Sequence, residues 1–195
     1  MAGRAPKARR PRAALRSRRF AIVAARFNER ITQRLVDGAR AAFSGAGLGA
    51  DRLEVHWVPG SFELPQAAAF LAATRRYAGI VCVGVVIRGQ TPHFEHVARE
   101  AAAGIREVAL STGVPATFGV VTAFSEEQAW ERAGGAAGNR GGEAAEAALA
   151  MAEWIDEMRR NGAGRSPVRR GGSARAGARA PLSGHPRSPR ARGRR

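Results

Sequence analysis

Ile80-Val81-Cys82-Val83-Gly84-Val85-Val86-Ile87 is an unbroken apolar run in a chain of 195 residues. A strand with no polar face must be covered on both sides, so this run reads as central in a parallel sheet. With Ala78 and Gly79 it spans ten residues between Tyr77 and Arg88, well short of the roughly 20 that a membrane helix needs. Upstream, Phe20-Ala21-Ile22-Val23-Ala24 is a second apolar strand. Ile31, Leu35, Ala39, Ala42 and Phe43 then recur at helical spacing until Gly45 and Gly47. Leu53, Val55 and Trp57 alternate as another strand, stopped at Pro59-Gly60, and an Ala-rich helix follows over residues 64–74. Downstream, Thr91-Pro92 opens a helix with Thr as cap and Pro at the first helical position, closing near Gly113. Residues 115–122 form a fourth strand, and Ser125-x-x-Gln128 is a capping box for the next helix. Five glycines between Gly134 and Gly142 break the pattern before a last amphipathic helix over residues 143–158. The order β-α-β-α-β-α-β-α-α predicts a four-stranded parallel sheet with helices on both faces.

Charge is split along the chain. Residues 1–19 hold eight Arg/Lys and residues 159–195 hold twelve Arg, with no acid in either, so residues 20–158 keep 32 − 20 = 12 basic against 16 acidic side chains. The body is mildly acidic and the basic excess lies in the ends. Both ends are rich in Arg, Gly, Pro, Ala and Ser, and such segments bury too little apolar surface to offset ordering entropy. The expected organisation is a disordered basic arm over 1–19, one domain over 20–160 and a disordered Arg-rich tail over 161–195. A net charge of +16 therefore does not make the folded body a nucleic-acid binder. The arm lacks the apolar segment of a secretory signal, and it is short and nearly Ser-free for a transit peptide. The single Cys, Cys82, excludes an internal disulfide and any CxxC motif, in keeping with a cytoplasmic location. The single Lys, Lys7, lies in the arm, which argues against a lysine Schiff base, a pyridoxal-phosphate site or a Walker A loop.

In an open α/β sheet, ligands bind at the carboxyl ends of the strands. Those ends carry Arg26-Phe27-Asn28, Pro59-Gly60-Ser61-Phe62-Glu63 and Arg88-Gly89-Gln90-Thr91-Pro92-His93. No GxGxxG follows the first strand, so a dinucleotide site is not supported. His93 lies in the first turn of a helix, where the macrodipole disfavours imidazolium, and a neutral His suits proton transfer. Its alternatives are a His that only satisfies its own helix terminus, or a metal ligand with His96 and Glu100. Gln90 and Thr91 offer an anion site at a helix N-terminus or simple capping. Arg132 complements a helix C-terminus or clamps a phosphate. Phe27 stacks on a planar ligand or merely packs, and Phe118, within a strand, is core by default. The Gly134–Gly142 segment reads as a kink between helices rather than a phosphate cradle.

Taken together, Ala25-Arg26-Phe27-Asn28, Val58-Pro59-Gly60-Ser61-Phe62-Glu63-Leu64-Pro65, Gly84-Val85-Val86-Ile87-Arg88-Gly89-Gln90-Thr91-Pro92-His93-Phe94-Glu95 and Glu131-Arg132-Ala133-Gly134 resemble the lumazine synthase family, from about residue 18 to residue 160. The resemblance implies a flavodoxin-like three-layer α/β/α sandwich, homopentamers or sixty-subunit shells, and active sites between neighbouring subunits. It implies a transferase of riboflavin biosynthesis that condenses 5-amino-6-(D-ribitylamino)uracil with 3,4-dihydroxy-2-butanone 4-phosphate, without metal or organic cofactor. By the same resemblance Phe27 stacks on the pyrimidine, and Ser61, Phe62 and Glu63 contact the ribityl side. Val85, Val86 and Ile87 line the uracil, Gln90 and Thr91 bind the phosphate-bearing substrate, and His93 donates a proton. Phe118 and Arg132 come from the adjacent subunit, Arg132 on the phosphate, which reverses the core reading of Phe118.

The chain departs from the family pattern in three places. Arg140 and Ala136 stand where many relatives have Lys, and Arg keeps the charge but not the geometry. The basic extension after Arg160 lies outside the pattern. Two rival readings are a non-catalytic flavin- or lumazine-binding or shell protein on the same fold, and a nucleic-acid-binding protein acting through its ends. Nonspecific polyanion binding through those ends is an expectation compatible with the enzyme reading as well.

Overall fold

The computed structural model describes Leu15 and residues 17–162. Most of the basic arm and nearly all of the Arg-rich tail lie outside the described residues. Four parallel strands form the sheet, β1 (Arg19–Ala25), β2 (Leu53–Val58), β3 (Tyr77–Ile87) and β4 (Ala116–Ala123), in the order β2-β1-β3-β4. β3 is buried at every position but Ile87, as a both-sided apolar strand must be. The body begins upstream of residue 20: β1 starts at Arg19, and Leu15 is buried in the core.

Helices cover both faces, giving a three-layer α/β/α sandwich of the flavodoxin-like kind. On one face lie α1 (Glu29–Gly45) and the last helix, α5 (Arg140–Arg160), which meet the sheet through Leu35, Val36, Phe43, Ala145 and Leu149. On the other lie α2 (Leu64–Ala73) and α3 (His93–Thr112), packed through Leu64, Ala68, Ile105 and Val108. The short α4 (Glu126–Arg132) follows β4, and its capping box forms as expected. Ser125 Oγ accepts from the Gln128 amide at 3.3 Å, and Gln128 Oε1 reaches back past the cap to accept from the Phe124 amide at 3.0 Å.

The expected glycine kink is instead a small antiparallel hairpin, β5 (Ala133–Gly135) with β6 (Gly138–Asn139). The last helix starts at Arg140, not Glu143, because Asn139 caps it: its Oδ1 accepts from the Gly142 amide at 3.0 Å, while its Nδ2 donates to the Arg34 carbonyl at 2.8 Å. Gly141 then serves packing rather than chain breaking. A Cβ there would run into the Leu35 carbonyl oxygen and lie 2.9 Å from the Leu35 Cα, so only glycine lets α5 cross α1 this closely. The helix expected to be capped by Thr91 starts at His93, with Pro92 in the cap position and no side-chain cap. Proline has no side-chain acceptor, and the Thr91 hydroxyl is left out of the helix.

Candidate active site

With strand order β2-β1-β3-β4, the chain turns one way from β1 to β2 and the other way from β1 to β3. The crevice between the carboxyl ends of β1 and β3 is where such a sheet binds ligands. An open cleft of about 570 Å³ lies there. Its floor comes from β3, where Val85 and Val86 are buried and Ile87 is half-buried. Its walls come from the three loops after β1, β2 and β3.

The first two of these loops are tied to each other, and the first is tied to strand β3. The Arg26 and Phe27 amides donate to the Val58 and Pro59 carbonyls at 2.9 and 3.1 Å. Asn28 adopts a left-handed conformation (φ 57°), which Asn tolerates better than most residues, and its Nδ2 donates to the Val85 carbonyl at 3.1 Å. The backbone at Phe27 is thus held while its ring stands 72% exposed over the cleft; Phe62 is 58% exposed. Two free phenyl faces beside an apolar floor form a slot suited to a planar ring.

Ser61 sits at the start of a single 3-10 turn and is 4% exposed, yet its Oγ has no hydrogen-bond partner among the described residues. An unpaired buried hydroxyl costs free energy, and its residue is part of the cleft wall. Gly84 makes room for it: a Cβ at residue 84 would lie 2.5 Å from Ser61 Oγ and 3.1 Å from the Ala25 Cβ. Gly84→Ala is therefore expected to cost about 1–3 kcal/mol through overpacking. Adding Ser61→Ala should recover part of that loss in thermal unfolding, because it deletes the clashing oxygen; no recovery would place the strain elsewhere.

Of the expected site residues, Phe27, Ser61, Phe62, Glu63, Val85, Val86, Ile87, Thr91 and His93 all line the cleft. Gln90 is exposed and is not among the lining residues. Neither are Phe118, 44% exposed on edge strand β4, nor Arg132, exposed at the end of α4. Phe118 is thus not core, which corrects the default reading of a residue inside a strand.

The cleft is also lined by Asn28, Gly60 and Gly89, which the sequence places in the strand-end loops without a role of their own, by His96, weighed there only as a metal ligand, and by Phe94 and Val97, to which it gives no site role. The signal for Phe94 and Val97 was present, since they follow His93 on the first turns of α3. Arg88 lies over the Phe94 and Phe124 rings, 6.0 and 5.7 Å from their centroids, so a cation backs this wall. His96 Nδ1 faces Arg99 Nη2 at 2.8 Å. An arginine can only donate, so Nδ1 accepts. His93, His96 and Glu100 do not gather into a group of three candidate ligands among the described residues. Cys82 is fully buried below the cleft in β3, and burial pushes its thiol up to about 12, so it is no nucleophile.

The cleft therefore combines a flat apolar slot, an orphan hydroxyl, a carboxylate and an imidazole at a helix start. A family model described as 6,7-dimethyl-8-ribityllumazine synthase matches residues 17–156.

Proposed function

The chain belongs to the 6,7-dimethyl-8-ribityllumazine synthase family, and from that premise we propose that it condenses 5-amino-6-(D-ribitylamino)uracil with 3,4-dihydroxy-2-butanone 4-phosphate, releasing 6,7-dimethyl-8-ribityllumazine, phosphate and water. The observation that carries this reading is the gathering of Phe27, Ser61, Val85, Val86, Thr91 and His93 around one cleft. The pyrimidine lies against the Phe27 ring and the Val85–Ile87 floor. The ribityl hydroxyls meet the unpaired Ser61 Oγ and the Glu63 carboxylate.

The substrate's own 5-amino group attacks the ketone, so the imine nitrogen needs no enzyme lysine. Water leaves as the carbinolamine becomes an imine, and phosphate leaves as a proton is lost from the adjacent carbon. The second amine then closes the ring with loss of water. These steps each need a proton delivered or removed, and His93 is the group in the cleft suited to both. Gln90 and Thr91 hold the phosphate-bearing substrate.

Phe118 and Arg132 complete the site from a neighbouring copy in a homopentamer or a larger shell. Their exposure in the single chain supports that reading. Arg132→Ala is expected to raise KM for the butanone phosphate roughly tenfold to a hundredfold, the range for losing a hydrogen bond to a charged group. An unchanged KM would remove Arg132 from the phosphate.

The function itself is tested by incubating the purified protein with both substrates and following lumazine fluorescence. Product formation that survives dialysis against EDTA is the expected result. Loss of activity on dialysis would overturn the cofactor-free reaction, and no product at all would overturn the assignment. The basic ends are not required, and their binding of polyanions is a separate proposal that salt-dependent RNA binding by full-length and truncated chains would decide.

A further inference from the structure

A second cleft, of about 270 Å³, lies at the opposite end of the sheet, where the strands begin. Its walls are Arg18 and Arg19 at the start of β1, Arg52 just before β2, and Arg75, Arg76 and Tyr77 at the start of β3, with Ser17. Three separate stretches of chain thus bring five guanidinium groups around one small space.

Carboxylates balance only part of this charge. Glu54 accepts from Arg19 Nη1 at 2.8 Å, Arg76 Nη2 at 3.1 Å and the Tyr77 hydroxyl at 2.5 Å. The Tyr77 hydrogen bond, followed by the two arginines, holds the Glu54 carboxyl below its ordinary range, so it stays charged. His56 Nε2 lies 3.7 Å from it, too far for a hydrogen bond. Asp51 pairs with Arg52 at 3.0 Å, and Asp156 with Arg18 at 3.8 Å. Among the described residues, five cations against these three carboxylates leave the cleft wall with an excess of 5 − 3 = 2 positive charges.

Arg75 makes no side-chain hydrogen bond or ion pair among the described residues. It also holds φ 57° just past the end of α2, a place that favours glycine. An unpaired arginine thus stands beside the others at a cost in backbone strain. Each guanidinium brings five donors in a fork matched to phosphate oxygens, and most of those donors are unused here. The volume falls below the roughly 300 Å³ at which ordinary ligand pockets begin, which suits a small anion.

We propose that this arginine-walled cleft is a second ligand site, which binds the phosphate or diphosphate group of a small soluble anion. It stands at the amino ends of β1, β2 and β3, away from the crevice of the proposed reaction, and does not depend on that reading.

The test is calorimetric titration of the full chain with inorganic phosphate and with pyrophosphate, beside the variant Arg52→Ala/Arg75→Gly. Glycine suits the left-handed conformation at residue 75, and thermal unfolding within a few degrees of the parent shows that the variant folds. The parent is expected to show a saturable pyrophosphate uptake that is weakened at least tenfold in the variant and left unchanged by Arg132→Ala, which separates it from phosphate binding in the proposed reaction cleft. Uptake of inorganic phosphate alone with the same variant dependence assigns the site to the free ion, and pyrophosphate the tighter assigns it to a diphosphate group. Equal binding by parent and variant would overturn the proposal. So would a short single-stranded RNA that displaces pyrophosphate from the parent at lower concentration, since the cleft would then read a nucleic-acid backbone.

Discussion

Replacing His93 with alanine is expected to lower kcat for lumazine formation about 100-fold while leaving KM for both substrates within about threefold. General acid–base catalysis by one positioned side chain supplies roughly 10²–10⁴-fold. The low end applies because the reacting amine and the leaving phosphate both come from the substrates and react partly unaided. His93 is the first residue of α3 and lines the cleft, so its removal leaves the slot formed by Phe27 and the β3 floor in place. Steady-state kinetics with each substrate varied in turn provides the check. A fall in kcat of less than about threefold would show that the protons move without His93, and a KM effect alone would make it a binding group.

The largest loss of stability is expected from Gly141→Ala. A methyl group there meets the Leu35 backbone itself, its carbonyl oxygen and Cα, and not the end of a side chain that can swing away. The two helices must separate or shift, and they form the principal layer over one face of the sheet. A cost of about 3 kcal/mol is expected, the upper part of the usual range for overpacking. For a domain of this size that corresponds to a melting temperature lower by roughly 10 °C. Calorimetry on the purified variant measures it, and a decrease under about 3 °C would mean that α1 and α5 slide apart at little cost.

The fold was legible wherever burial alone decides structure. The run Ile80–Ile87 has no polar face, and β3 indeed lies between β1 and β4 with both faces covered. Ser125 and Gln128 announce a helix start by chemistry that needs no tertiary partner. Legibility failed where one residue type serves two ends. Glycine breaks a pattern in solvent, but Gly141 permits a close helix crossing with Leu35, a residue more than a hundred positions earlier, and no local window contains that neighbour. The cap at Asn139 fails to show for the same reason, since half of its hydrogen bonding goes to Arg34. At the site, the loop residues Phe27, Ser61 and His93 converge because strand ends must. Phe118 and Arg132 do not join them in the single chain, and periodicity along the sequence does not say what an exposed residue faces.

Loops at the carboxyl edge of an α/β sheet are ordinarily the parts that tolerate insertions and change independently of the scaffold. The Asn28 bond to Val85, with the Arg26 and Phe27 amides bound to Val58 and Pro59, removes that freedom. Lengthening the loop after β1 or the loop after β2 would break the bracing between them. Redesign of this side of the cleft therefore has to proceed by exchanging side chains at positions such as 27 and 62, on a backbone whose first two loop lengths are fixed.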